Sequence, residues 1–161
     1  MTDEQTAKIK KRLSWRMWVL LPIILILLVL KAYSVWYWPT AMVRVGDHSM
    51  RMIVSDTFAH NIKGLSGRKN LGEFDGMVFY FGERSQHTMV MRDMLFPLDI
   101  VWVDRGVVVD MAQHLAPESG RPEAELTPYF ARLPSTMVLE LPAGKVSDYG
   151  IKIGDEVVIS R

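Results

Sequence analysis

From Met17 to Leu30 the chain carries no charged side chain, and eleven of these fourteen residues are Leu, Ile or Val. At about −0.3 to −0.6 kcal/mol each, those eleven favour insertion into a bilayer by roughly 3–7 kcal/mol. Fourteen residues are too few to span, but continuing to Val35 makes a helix of roughly 28 Å. Lys31 then lies near one end, where its stem reaches the headgroups. Pro22 falls in the first turns of such a span, where a missing N–H costs least. Ahead of the run, Lys8, Lys10, Lys11, Arg12 and Arg16 stand against Asp3 and Glu4, five cations against two acids and a local charge of +3. Trp15 and Trp18 stand at one end and Trp36 and Trp38 at the other, the placement of aromatic belts at both membrane interfaces. Ala32-Tyr33-Ser34 has the small-residue spacing of a signal-peptide cleavage site. Lys31 just before it and the second tryptophan pair just beyond it favour a retained anchor. The expected organisation is a basic cytoplasmic tail over 1–16, a transmembrane helix over 17–37, a connector over 38–49 and a globular domain over 50–161. The basic flank predicts a single-pass protein of the cell inner membrane, its N-terminus cytoplasmic and its C-terminal domain periplasmic or extracytoplasmic.

A domain of roughly 120 residues can bury a core of its own. The chain has no cysteine, which removes disulfides, thiolate metal sites and a cysteine nucleophile. Its net charge of +1 offers no clustered cationic surface, so nucleic acid is not an expected partner.

The patterning of this domain is that of strands. Met50, Met52 and Val54 alternate with Arg51, and Gly76-Met77-Val78-Phe79-Tyr80-Phe81 is a compact apolar run bounded by glycines. Thr88 to Met91 is a further candidate. Ile100-Val101-Trp102-Val103 and Val107-Val108-Val109 flank Asp104-Arg105-Gly106 and read as a hairpin. Met137 to Leu141 and Glu156 to Ile159 complete the set. Thr57 is placed to cap a short helix through Lys63. Residues 41–48 read as a connector with a turn at Gly46-Asp47. The fold class expected is mainly β, a small barrel- or sandwich-like domain with one or two short helices, preceded by the single transmembrane helix. Residues 117–134 hold Pro117, Pro122, Pro128 and Pro134 and read as a long loop, either functional or mobile, with plain mobility the simpler reading.

Several phrases together resemble domain-of-unknown-function family 192. They are Gly64-Leu65 with Arg68 and Leu71, Gly76-Met77-Val78-Phe79 with Phe81, and Met91-Arg92-Asp93-Met94-Leu95-Phe96-Pro97-Leu98-Asp99-Ile100. Val138-Leu139-Glu140-Leu141 with Ala143-Gly144, Gly150 and Gly154-Asp155 close the series. The resemblance covers about residues 50–159 and implies a compact mainly-β domain, often behind a signal peptide or membrane anchor. It implies no settled activity and no catalytic residues. The chain departs from the family pattern at Val90, where tryptophan is usual, and at Arg92-Asp93-Met94, where lysine-asparagine-threonine is usual.

Six residues are candidates for binding: Arg68, His87, Arg92, Asp93, Asp99 and Glu140. Asp99 follows Pro97-Leu98 at the start of an apolar strand. It can serve as an acid/base or cation ligand, but a structural role, accepting backbone N–H groups or pairing with Arg68 or Arg92, is the simpler expectation. Glu140 sits in an apolar strand, where an acid must face solvent or find a partner, so an ion pair is expected. Arg92 and Asp93 are adjacent and point to opposite faces unless the chain bulges. His48, His60, His87 and His114 show no metal-ligand spacing, so no metal and no cofactor are expected. No nucleophile–base pair, P-loop or zincin helix is visible, so no catalytic residues are assigned.

Three functional readings remain. The first is a non-catalytic binding module tethered at the membrane, with lipid and an envelope protein or small ligand as partners. The second is an accessory single-pass subunit of a larger inner-membrane complex. The third is an envelope enzyme using Asp93, Asp99 or Glu140.

Overall fold

The computed structural model describes the backbone of residues 3–160 and the side chains of residues 17–33 and 37–160. The chain divides into two units, Met1–Tyr37 and Trp38–Arg161. The first is one helix, α1 (Asp3–Trp36), with Pro22 inside it. Because the helix starts well before the apolar run, Pro22 is an interior residue and not a first-turn one, and it removes one rung of the hydrogen-bond ladder. Among the described residues, no helix is long and apolar enough to cross a membrane. The side chains described on α1, residues 17–33, are all exposed. The basic tail's side chains, Trp15 and Trp36 lie outside the described residues.

The second unit is mainly β. Its strands are β1 (Thr40–Val45), β2 (His48–Ser55), β3 (Gly76–Ser85), β4 (Thr88–Met89), β5 (Leu98–Asp104), β6 (Val107–Leu115), β7 (Tyr129–Phe130), β8 (Ser135–Pro142) and β9 (Val157–Ser160). Two short helices, α2 (Phe58–Lys63) and α3 (Lys145–Asp148), join them. Seven strands form one curled sheet, a half-barrel in the order β6-β5-β8-β3-β2-β1-β9, and β4 and β7 make a separate pair. At one end the sheet's two edges meet. Val108 N–H donates to Asp155 and Val157 N–H donates to Gly106, at 2.9 and 2.8 Å.

The stretch expected as a connector is strand β1. Ala41, Val43 and Val45 are buried and alternate with exposed Thr40, Met42 and Arg44, and the strand forms a hairpin with β2 through Gly46-Asp47. The Arg105-Gly106 turn between β5 and β6 has positive φ at both residues, which a two-residue hairpin of native twist requires. The strand expected over Thr88–Met91 is shorter, ending at Met89.

The middle strands are buried on both faces, hence their unbroken apolar runs. Val54, Val78, Val101, Val103, Leu139 and Leu141 pack in one cluster, and Met77, Phe79, Ile100, Trp102 and Val138 in another. The first cluster is closed by Val146 of α3 and by Ile151. The second is covered through β2 and β3, the parallel pair, whose ends need a crossover. That crossover is α2 followed by Gly64 and Leu65, and Leu65 packs in the second cluster. Thr57 caps α2, its hydroxyl accepting from His60 N–H at 3.2 Å.

Residues 117–134 are tied down at several points, so the mobile-loop expectation gives way to a fastened one. Glu118 pairs with Arg121 and accepts from Thr127 N–H and Oγ1–H at 2.9 and 2.7 Å. Ser119 Oγ–H donates to the Met94 carbonyl, and Arg92 pairs with Glu123. Arg132 grips Asp110 with its backbone N–H and two guanidinium nitrogens, and these hydrogen bonds hold the Asp110 carboxyl below its ordinary value.

Two residues set the strand positions. Asp99 is fully buried. Its Oδ1 accepts from His114 N–H at 2.8 Å, and its Oδ2 accepts from Gly144 and Val146 N–H at 2.9 and 3.0 Å. His114 has φ +56 and lies in a bulge of β6, where the register shifts between Leu98 and Ile100. Gly76 lets β3 lie close to β8. A Cβ there would overlap the Glu140 carbonyl and come within 2.9 Å of Leu141 Cδ2. Chemical denaturation of the full-length protein in detergent should therefore show Asp99→Asn costing about 2 kcal/mol, because an amide leaves a buried N–H without its acceptor. Gly76→Ala should cost about 3 kcal/mol through overpacking. A shift within error of wild type for either would break the corresponding assignment.

Candidate functional site: a buried acid in an apolar pocket

β8 places Val138 and Glu140 on the same face of the sheet. Register puts Glu140 between Met77 of β3 and Ile100 of β5, in the middle of the half-barrel. Only 5% of Glu140 is exposed, and its Oε2 has no hydrogen-bond partner. Burial pushes its carboxyl up from 4.5 to about 8, so it is mostly protonated at neutral pH. The ion pair expected for it does not form. Leu65, Met89 and Met94 cover this face of the sheet, and beneath them Glu140 has no ion pair among the described residues.

Glu140 lines a pocket of about 340 Å³. Phe58, Asn61, Ile62 and Lys63 of α2 form one wall, followed by Leu65 and Ser66. Phe79 and Phe81 of β3 form another, and residues Thr88 to Val90 with Arg92 and Met94 form a third. Two features of the sequence build the second and third walls. Alternation along β3 sends Phe79 and Phe81 to the same side, where their rings stack at 6.1 Å. Met94 N–H donates to the Met91 carbonyl, and Asp93 with φ +50 turns the chain. Gly64, with φ +48, ends α2 and passes its backbone close to the Phe79 ring, 3.3 Å from where a Cβ would sit.

Arg92 is the second polar group of interest. Its Nη2 pairs with exposed Glu123, while its Nε is buried without a partner. Its carbonyl accepts from Ser66 Oγ–H at 2.7 Å, which ties the third wall to the segment after α2. The ionisable residues lining the pocket are thus Lys63, Arg92 and Glu140. Such an arrangement offers hydrogen bonds inside an apolar enclosure. The Ser66 hydroxyl of the lining is engaged as a donor to the Arg92 carbonyl.

Of the six candidate residues, the pocket unites Arg92 and Glu140 and leaves the rest elsewhere. Asp93 is exposed, and its contribution is the backbone turn, which lets Arg92 alone face the pocket. Asp99 serves the opposite face and takes backbone donors, not Arg68 or Arg92. His87 stacks on Phe81 at 3.8 Å, with its Nε2 2.9 Å from the Glu83 carbonyl, and supports the pocket from behind. The Arg68 guanidinium lies 5.3 Å from the centre of the Trp38 ring, which stacks on His60 at 3.9 Å. Trp38, expected at a membrane interface, is therefore half-buried against its own domain, because His60 and Arg68 offer both a ring and a cation. Trp18 is 74% exposed. The members of the site that sequence reasoning missed are the α2 residues Phe58, Asn61, Ile62 and Lys63, with Ser66 and Thr88. The signal that could have found them is the crossover implied by two strands in parallel. Among the described residues, no group of three His, Cys, Asp or Glu could hold a metal ion.

Two crystal structures resemble this fold. One is of a putative transcription regulator from Sinorhizobium meliloti 1021, 25% identical, with a TM-score of 0.68 over 76% of this chain and 95% of that one. The other is of a protein of unknown function from Novosphingobium aromaticivorans DSM 12444, 30% identical, with a TM-score of 0.63 over 75% of this chain and 84% of that one. No curated protein matches the chain. Residues 41–159, the span of the half-barrel from β1 to β9, match one family throughout, and the chain belongs to domain-of-unknown-function family 192, described as an uncharacterised ACR.

Proposed function

We propose that this chain is a non-catalytic binding module whose half-barrel takes one small molecule into the pocket beside Glu140. The observation that carries the reading is the buried Glu140 carboxyl in an apolar wall, with its Oε2 unpartnered. Concave, mostly apolar sites with a few placed polar groups are the usual form of a small-molecule site. A perturbed acid in such a cleft points the same way. The neighbour described as a putative transcription regulator does not extend that role here, because a net charge of +1 gives little attraction for nucleic acid. The module is tethered to the inner membrane by its N-terminal segment and works on the extracytoplasmic side. Support for the tether comes from the uncharged apolar run, the basic flank and the continuous helix Asp3–Trp36.

Two outcomes are expected. Val90 lines the pocket, and the larger side chain of Val90→Trp should occupy it. Full-length protein purified in mild detergent should release, on denaturation, a small molecule detectable by mass spectrometry, and Val90→Trp should release none. Identical extracts from the two would end this reading. The second outcome concerns pH. In the unfolded chain the Glu140 proton leaves near 4.5, and in the folded chain it stays until about 8. The unfolded chain therefore binds fewer protons across this window, so the Glu140 contribution to stability is fully present below pH 4.5 and is lost as pH rises towards 8. By pH 7 the loss is about 3 kcal/mol. Glu140→Gln removes that loss, so its melting temperature should exceed wild type at pH 7.5 and converge with it near pH 4.5. Parallel pH profiles would mean that Glu140 is not held protonated.

A further inference from the structure

The character of the pocket's polar groups narrows what it can hold. Glu140 Oε2 and Arg92 Nε are both buried, and neither has a partner. Protonated Glu140 offers an O–H, and Arg92 offers an N–H that its pairing with Glu123 does not use. A partner that accepts from both satisfies the two at once. Lys63, itself exposed, adds a second cation to the lining. The remaining walls are aromatic and aliphatic, with Phe58, Phe79, Phe81 and Met94 prominent among them. Phosphate or sulfate would bring more acceptor oxygens than this wall can satisfy, whereas one planar carboxylate needs few donors.

We infer that the pocket binds a small monocarboxylate with an apolar or aromatic body, its carboxylate held by Arg92 Nε–H and the Glu140 hydroxyl. This rests on the reading of the pocket as a binding site. Glu140 acts here as a donor, an acid kept neutral so that it can share its proton with the anion. Arg92 supplies the charge. The other end of the guanidinium pairs with Glu123, which is not part of the pocket lining.

Met89 and Met94 line the pocket, and Met50 is buried in the other cluster, so methionine methyl groups report on occupancy by position. The test is methyl NMR of full-length, methionine-labelled protein in detergent, titrated with phenylacetate, phenylacetamide and phenethylamine. These share one body and differ in the head. Phenylacetate should shift Met89 and Met94 saturably and leave Met50 in place. The amide should bind about tenfold more weakly for want of charge, and the amine should not bind. Arg92→Met should weaken phenylacetate binding by about tenfold or more. Glu123→Gln should leave it within about threefold, which separates a direct role for Arg92 from one through the 117–134 segment. Glu140→Leu removes the donor and, like Arg92→Met, should weaken phenylacetate binding by about tenfold. Binding of the amine in preference to the acid, or equal binding of acid and amide, would overturn the carboxylate assignment while leaving the pocket a binding site. No shift at Met89 or Met94 with any of the three would overturn both.

Discussion

Three backbone N–H groups from two separate segments converge on the Asp99 carboxylate, and the arrangement of β5, β6 and α3 depends on it. One oxygen takes the His114 N–H of the β6 bulge, at a residue whose left-handed backbone would otherwise be costly. The other takes Gly144 and Val146, the start of α3. A carboxylate accepting three such bonds fixes the height of β5 against both neighbours. Ala143 N–H donates to the Pro97 carbonyl and reinforces the same junction. The register that follows sets Ile100 directly beside Glu140. The pocket on one face therefore depends on a hydrogen-bonded hub on the other.

The second constraint is topological. β2 and β3 run parallel, so the chain must cross over between them, and the crossing lays α2 over the outer face of the sheet. α2 has six residues, too few to cover that face. Leu65 fills part of the remainder and the segment from Thr88 to Met94 fills another part. What is left between them is the pocket. Ser66 and Gly67 donate to the carbonyls of Arg92 and Asp93, so its two loop walls are fastened to each other and not left to separate.

Much of this fold is legible in the sequence, and the reasons are local. Thr57 announces α2, Arg105-Gly106 announces the β5–β6 turn, and the unbroken apolar runs of β3, β5 and β8 announce strands covered on both sides. β1 was obscured because its alternating residues sit close to the apolar run and end in a turn, which reads as a connector until its partners β2 and β9 are known. The pairing of Arg132 with Asp110 is likewise invisible in sequence, since twenty-two positions separate them, and it turns a proline-rich loop into a fastened one. At the site, Arg92 and Glu140 stand out as charges in apolar surroundings. Their meeting at one pocket does not, because it needs the β8 register and the crossover together. Val90 and Arg92, two of the positions where the chain departs from its family's pattern, both line that pocket.

Glu140 is hard to explain as part of the fold. Its neighbours Val138, Leu139 and Leu141 are apolar, and an apolar side chain of similar size in its place would complete the second cluster without desolvating a carboxyl. A structural acid in this protein looks like Asp99 or Asp110, with every oxygen engaged by named donors. Glu140 has an oxygen with none. Arg92 shows the same contrast within one side chain: its outer nitrogen is paired and its inner one is not. Buried polar atoms also lack partners at His60 and Ser135, away from the pocket, but the two that share one pocket, on Arg92 and Glu140, are accounted for together by an occupant that accepts from both.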